Sequence, residues 1–169
     1  MDKHFELTNK FIINAFGVKL FQIKCTRRIK YAEVGDLGGY IEKEDNLSGD
    51  AWVSGNAQLS GDAQLSGDAQ VSGDARVYGN ARVYGNAQVS GDARVSNDNE
   101  HCGFDCFGSV NRHTHAYKTQ SGKVEITCGC FRGSIEEFDR QVKKTHQGNK
   151  FERQYMAIAE VIKIKFGLK

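Results

Sequence analysis

From Ala51 onward the alternation of apolar and polar positions repeats every six residues. The hexads read AWVSGN, AQLSGD, AQLSGD, AQVSGD, ARVYGN, ARVYGN, AQVSGD and ARVSND, after a worn copy, DNLSGD, at Asp45. Nine hexads thus run without interruption from Asp45 to Asp98. An aliphatic residue recurs at Leu47, Val53, Leu59, Leu65, Val71, Val77, Val83, Val89 and Val95, and alanine recurs two places earlier, from Ala51 to Ala93. In an extended segment those two residues point one way and their neighbours the other. Glycine then supplies a turn, and the Asp or Asn after it can hydrogen-bond the local backbone. Each hexad is therefore a short strand plus a corner. Three corners close a triangle, so one coil takes three hexads, and coils stack about 4.8 Å apart. A helix is excluded, because a period of six does not match 3.6 and each interior glycine would cost about 1 kcal/mol. The pattern predicts a mainly β chain whose residues 45–98 form a parallel β-helix of three coils.

The flanks break this period and predict other elements. Residues 1–44 read as an N-terminal β cap, with a hairpin over 5–26 in which FIIN and VKLFQIKC flank Ala15-Phe16-Gly17. Residues 99–110 read as a Gly- and Cys-containing link. Residues 111–169 read as a small ββαα domain. Its hairpin is HTHAYKTQ, a turn at Ser121-Gly122, and KVEITCGCF. Ser134 with Glu137 makes a capping box, and Ile135, Phe138 and Val142 mark one face of a helix reaching about His146. Gln147-Gly148-Asn149 interrupts it, and Phe151, Tyr155, Ile158, Ile162 and Phe166 mark a second amphipathic helix. A unit this small is marginal alone.

Stacking at one coil per three hexads fixes which outward residues are neighbours. Trp52, Gln70 and Gln88 share a face, beside Ser54, Ser72 and Ser90. Gln64 and Arg82 share a second, beside Ser66 and Tyr84. Gln58, Arg76 and Arg94 share the third, beside Ser60, Tyr78 and Ser96. Like charges directly opposed in a sheet are unfavourable unless something neutralises them, and Tyr and Arg are favoured at binding hot spots. Arg76, Tyr78, Arg82, Tyr84 and Arg94 are accordingly the candidate interface, either a contact between subunits or an anion site between them. The alternative is a set of solvated side chains on a repeat that drifts between Gln and Arg. The corner residues also stack, as in Asp50/Asp68/Asn86. Since Asn replaces Asp freely, they read as turn-stabilising rather than as a calcium ladder.

The hexads resemble the left-handed β-helix of hexapeptide-repeat proteins. That resemblance implies the left-handed winding and a homotrimer; it leaves function open, since such proteins include acyltransferases, carbonic-anhydrase-like enzymes and non-enzymatic scaffolds. The segment VGDLGGYIEKEDNLS (Val34–Ser48) followed by Trp52, together with GCFRGSIEEF (Gly129–Phe138), resembles phage- and prophage-encoded β-helix proteins often labelled acetyltransferase-like or polymer-forming. This second resemblance implies a phage or prophage accessory protein working in the host cytoplasm.

Composition narrows the chemistry. The formal charge is only +2, which does not suit a general polyanion binder. It divides as +2 over 1–44, −5 over 45–100 and +5 over 101–169. No apolar run is long enough to span a membrane, MDKHFELTNK shows no apolar signal region, and five cysteines without framework spacing fit a reducing compartment. Cys102, Cys106, Cys128 and Cys130, with His101, His113 and His115, are weak zinc candidates; C-x-C is poor spacing for a zinc knuckle. No histidine lies between Phe5 and Glu100 and no hexad is interrupted, so an acyltransferase would depend on His101. No P-loop or nucleophile elbow is present. Lys143, Lys144, Lys150, Arg153, Lys163 and Lys165 could touch nucleic acid, or form a solvated helix face. The expected function is non-catalytic, without a cofactor: an oligomeric scaffold binding a host protein, with interference in a host defence system as one setting. The alternatives are a sponge for a small anionic ligand such as a signalling nucleotide, and an acyltransferase using His101.

Overall fold

The computed structural model describes residues 3–168, which form two compact units divided between Asp98 and Asn99. In the first unit, strands β1 (Phe5–Ile13), β2 (Lys19–Cys25) and β3 (Leu37–Ile41) lead into eight two-residue rungs. These are β4 (Trp52–Val53), β5 (Gln58–Leu59), β6 (Gln64–Leu65), β7 (Gln70–Val71), β8 (Arg76–Val77), β9 (Arg82–Val83), β10 (Gln88–Val89) and β11 (Arg94–Val95). The rungs pair in parallel at a spacing of three hexads: Trp52 with Gln70 and Gln70 with Gln88, Gln58 with Arg76 and Arg76 with Arg94, Gln64 with Arg82. The chain is thus a three-turn parallel β-solenoid, and the neighbours expected from the hexad period are the neighbours found.

The interior is dry and narrow. Val53, Leu59, Leu65, Val71, Val77, Val83, Val89 and Val95 are fully buried, and the alanines beside them nearly so. A large and a small residue share each side of the triangle because the prism has no room for two large ones. Ladder bonds join successive coils, as from Trp52 N–H to the Ala69 carbonyl (3.0 Å) and from Ser54 N–H to that of Val71 (2.9 Å). At every corner but the last, where Asn97 stands, a glycine is left-handed; Gly67, at φ +70°, faces the glycine of the next coil so closely that a Cβ would lie 3.1 Å from Gly85 N.

The N-terminal hairpin is not a separate cap. β1 pairs with β2 and β2 with β3, both antiparallel, and β3 pairs in parallel with β5. The order β1-β2-β3-β5-β8-β11 makes one sheet, so residues 1–44 are continuous with the solenoid. His4 is buried and its Nε2 donates to the Ala51 carbonyl at 2.8 Å. Burial, outweighing that hydrogen bond, lowers its pKa from the ordinary 6.5. The unfolded chain therefore takes up this proton first as pH falls. The stability from neutral His4 is complete above 6.5 and drains as pH drops towards the lowered value. The stability deficit of His4→Gln should be largest near about pH 8 and shrink towards about pH 5 in denaturant titrations; a deficit independent of pH would contradict this.

The second unit departs from the expected ββαα. It has four antiparallel strands, β12 (His101–Phe107), β13 (Arg112–Lys118), β14 (Val124–Cys128) and β15 (Phe131–Gly133), in the order β12-β13-β14-β15. The stretch read as a link is thus largely a strand: Gly103 and its polar neighbours look like a loop, yet Cys102 and Phe104 pack on the core. KVEITCGCF is not one strand either. Gly129, at φ +60°, reverses the chain so that Phe131 returns beside Cys128. Helices α1 (Ile135–His146) and α2 (Lys150–Phe166) lay Ile135, Phe138, Val142, Tyr155, Ile158 and Ile162 on Ala116, Ile126 and Cys128. The expected capping box at Ser134 and Glu137 is present, and Gln147 ends α1 in the left-handed region. Asn149 caps α2 by accepting from Phe151 N–H and Glu152 N–H. Lys163 ties α2 to Asp139 of α1 at 2.8 Å.

Candidate functional site

The solenoid geometry separates the five candidate residues into two groups. Arg76, Tyr78 and Arg94 belong to the long sheet through β8 and β11, whereas Arg82 and Tyr84 belong to the β6–β9 sheet. Arg94 stands directly on Arg76 in the next coil. Its Nη1 lies 2.9 Å from the Asp74 carbonyl and 2.8 Å from that of Ala93, so the backbone of the corner takes up its donors. Burial, and then the Arg76 charge, hold its pKa below the usual guanidinium value. Arg76 has no such outlet: its Nε is buried and has no hydrogen-bond partner among the described residues.

Tyr78 has a neighbour that the sequence pattern did not single out. The ring of Phe16, at the tip of the β1–β2 hairpin, sits 5.6 Å from the Tyr78 ring while staying 67% exposed. An aromatic residue at a hairpin tip, where Gly, Asn or Asp is the usual choice, was the available signal. Phe11 and Ile13 on β1 are also exposed, and Lys19 covers the Phe11 ring at 4.0 Å. The long sheet therefore carries an arginine pair bordered by aromatic groups.

The other group is less poised for a partner. Arg82 donates to Asp98 Oδ2 from Nη2 at 2.9 Å and from Nε at 3.2 Å, and Asp98 Oδ1 accepts from the Arg82 backbone N–H at 2.8 Å. Its charge is answered within the coil. Tyr84 is 64% exposed.

The corner carboxylates serve the coils. Asn56 donates to Asp74 at 3.0 Å, Arg27 pairs with Asp50 at 2.7 Å, and Lys43 pairs with Asp62 at 2.9 Å. Among the described residues no group of three or more His, Cys, Asp or Glu is arranged to hold a metal ion. Strand alternation explains the dispersal of the Cys and His set. Cys102 and Cys128 pack towards the helices; burial pushes the Cys102 thiol up to about 11, and Cys128 accepts from Thr114 Oγ1 at 3.3 Å. Cys106 and Cys130 are exposed. The imidazoles take the opposite side: His101 Nδ1 is 3.0 Å from His115 Nε2, and His113 Nδ1 is 2.6 Å from an Asp105 oxygen. No described helix is long and apolar enough to cross a membrane.

A family model described as the YdcK Beta solenoid repeat matches residues 75–87 and 87–98. That stretch is similar to the repeat of this family and contains all five candidate residues. No curated protein matches the chain.

Proposed function

We propose that this chain is a non-catalytic binding scaffold whose long solenoid sheet presents Arg76, with Tyr78 and Phe16, to an acidic surface of a protein partner. One observation carries the reading: two arginines stand on each other in adjacent coils, and the inner nitrogen of one is buried without a partner among the described residues. A buried guanidinium donor left unsatisfied costs about 1–3 kcal/mol. A carboxylate from outside would remove that cost and the repulsion together. The aromatic border supplies the water-excluding rim that binding hot spots need. The resemblance to phage-encoded β-helix proteins supports a phage or prophage accessory role in the host cytoplasm, with a host protein as the partner and a host defence component among the settings. The resemblance to hexapeptide-repeat proteins supports left-handed winding and a homotrimer as the assembled form.

Arg76→Gln combined with Tyr78→Ala should weaken capture of the host partner from lysate by about tenfold or more. The melting temperature should hold or rise, because both side chains lie outside the coil and Arg76→Gln removes the unsatisfied donor and the repulsion from Arg94. Unchanged capture of every host protein, measured by quantitative mass spectrometry, would sink the reading. The same unpartnered nitrogen also favours a second reading, capture of a small anionic ligand between subunits. Mass spectrometry of compounds released by heating the purified protein tests it. Acetyl-CoA turnover, with His101→Ala as control, tests whether the scaffold is in addition an acyltransferase.

A further inference from the structure

The second unit carries a half-open pocket of about 280 Å³ between its sheet and helices, at the end where β12 turns into β13 and β14 into β15. Its surface is mostly apolar, with Phe131, Phe138 and Tyr155 at its centre and Ser109, Gln141 and Thr145 among the lining residues. Phe131 and Phe138 stand 5.5 Å apart, the Tyr155 ring meets Phe138 edge-on at 5.9 Å, and Val142 completes the helix side. Arg112 and His146 are the basic residues of the lining. The His146 ring stacks on Tyr155 at 5.4 Å. Arg112 lies against the β14–β15 turn at Gly129, where a Cβ would collide with its guanidinium, so the turn leaves room for a cation there. Among the described residues that line the cavity, none is Asp or Glu. The Tyr155 phenol, pushed up to about 12 by burial and by Cys128, stays protonated and donates to the Phe107 carbonyl at 3.5 Å.

We infer that this cavity binds a small aromatic or branched monocarboxylic acid, with its carboxylate on Arg112 and its apolar body among Phe131, Phe138, Val142 and Tyr155. Size sets the first limit: a cavity at the lower end of ligand-site volumes holds a molecule of about ten non-hydrogen atoms. Charge sets the second. A single guanidinium fork matches two carboxylate oxygens, while a phosphate ester would bring more charge and more acceptors than these walls can satisfy. The inference is independent of the solenoid surface discussed above.

Calorimetric titration of the full chain with benzoate, phenylacetate and 3-methylbutanoate tests it, with phenylacetamide as the uncharged control. At least one acid should bind with Kd of about 1 mM or tighter. Arg112→Gln, an exposed position, should weaken binding about tenfold or more, and Arg112→Lys should restore part of it. Lys123→Gln, an exposed position outside the lining, should change nothing. The bound acid should slow alkylation of Cys130, which lines the cavity, and leave exposed Cys106 unaffected. Absence of saturable heat with all three acids, equal binding of the amide, wild-type affinity in Arg112→Gln, or an unchanged Cys130 rate would each overturn the inference.

Discussion

Leu65→Ala will cost the solenoid about 2–5 kcal/mol, while Gln64→Ala, one residue earlier, will stay within about 0.5 kcal/mol. The two side chains leave the same rung in opposite directions. Leu65 is fully buried, stacked between Leu47 below and Val83 above, whereas Gln64 is exposed. The void left by truncation cannot close easily, because ladder bonds clamp the coil to its neighbours: Ser48 N–H to the Leu65 carbonyl at 2.9 Å, and Ser66 N–H to the Val83 carbonyl at 3.0 Å. Chemical denaturation followed by circular dichroism reads the difference. Similar losses for both variants would mean that the hexads do not alternate inward and outward as described.

Gly39→Ala should be comparably harmful, by about 1–3 kcal/mol, for a different reason. A Cβ at this position would lie 2.6 Å from the Ala57 carbonyl oxygen and 2.6 Å from Val53 Cγ1. The first obstacle is backbone and cannot rotate away. β3 is the strand that joins the hairpin to the first coil, so the clash pushes apart the two halves of one sheet. Gly17→Ala is the useful comparison: it meets nothing within 4 Å, but sits at φ +79°, so its cost of about 1–2 kcal/mol is conformational only. D-Alanine at position 17, introduced by semisynthesis, suits the positive φ and should restore stability there. A loss that persists with the D-residue would remove the conformational argument.

The solenoid was legible because its signal is redundant. The six-residue period recurs often enough that coil number, rung register and the Arg76–Arg94 stack all follow from counting. The second unit offered less. β12 has Gly103 at its centre and a register irregularity between Phe104 and Phe107, and neither suggests a strand when the strand is read alone. β15 is three residues long and gains its identity only from pairing with β14. Helices α1 and α2 were plain, since capping and amphipathic spacing are local. Of the candidate surface, the residues supplied by the repeat were visible. Phe16 was not, because its place beside Tyr78 depends on the fold of a distant hairpin. The relief of Arg82 by Asp98 was equally hidden: it depends on how the last hexad ends, where Asn97 stands in place of the corner glycine.

The rim formed by β1 limits how these molecules can gather. A solenoid sheet is an open template at its first strand, ready to accept another chain by backbone pairing. Here that strand is antiparallel to its neighbour, loses register between Leu7 and Phe11, and carries Glu6 and Lys10. It works as a stopper: an incoming strand finds uneven donors and acceptors and unscreened charge. Copies therefore do not extend this sheet through the β1 edge, and any that meet there do so through side chains rather than through the peptide ladder.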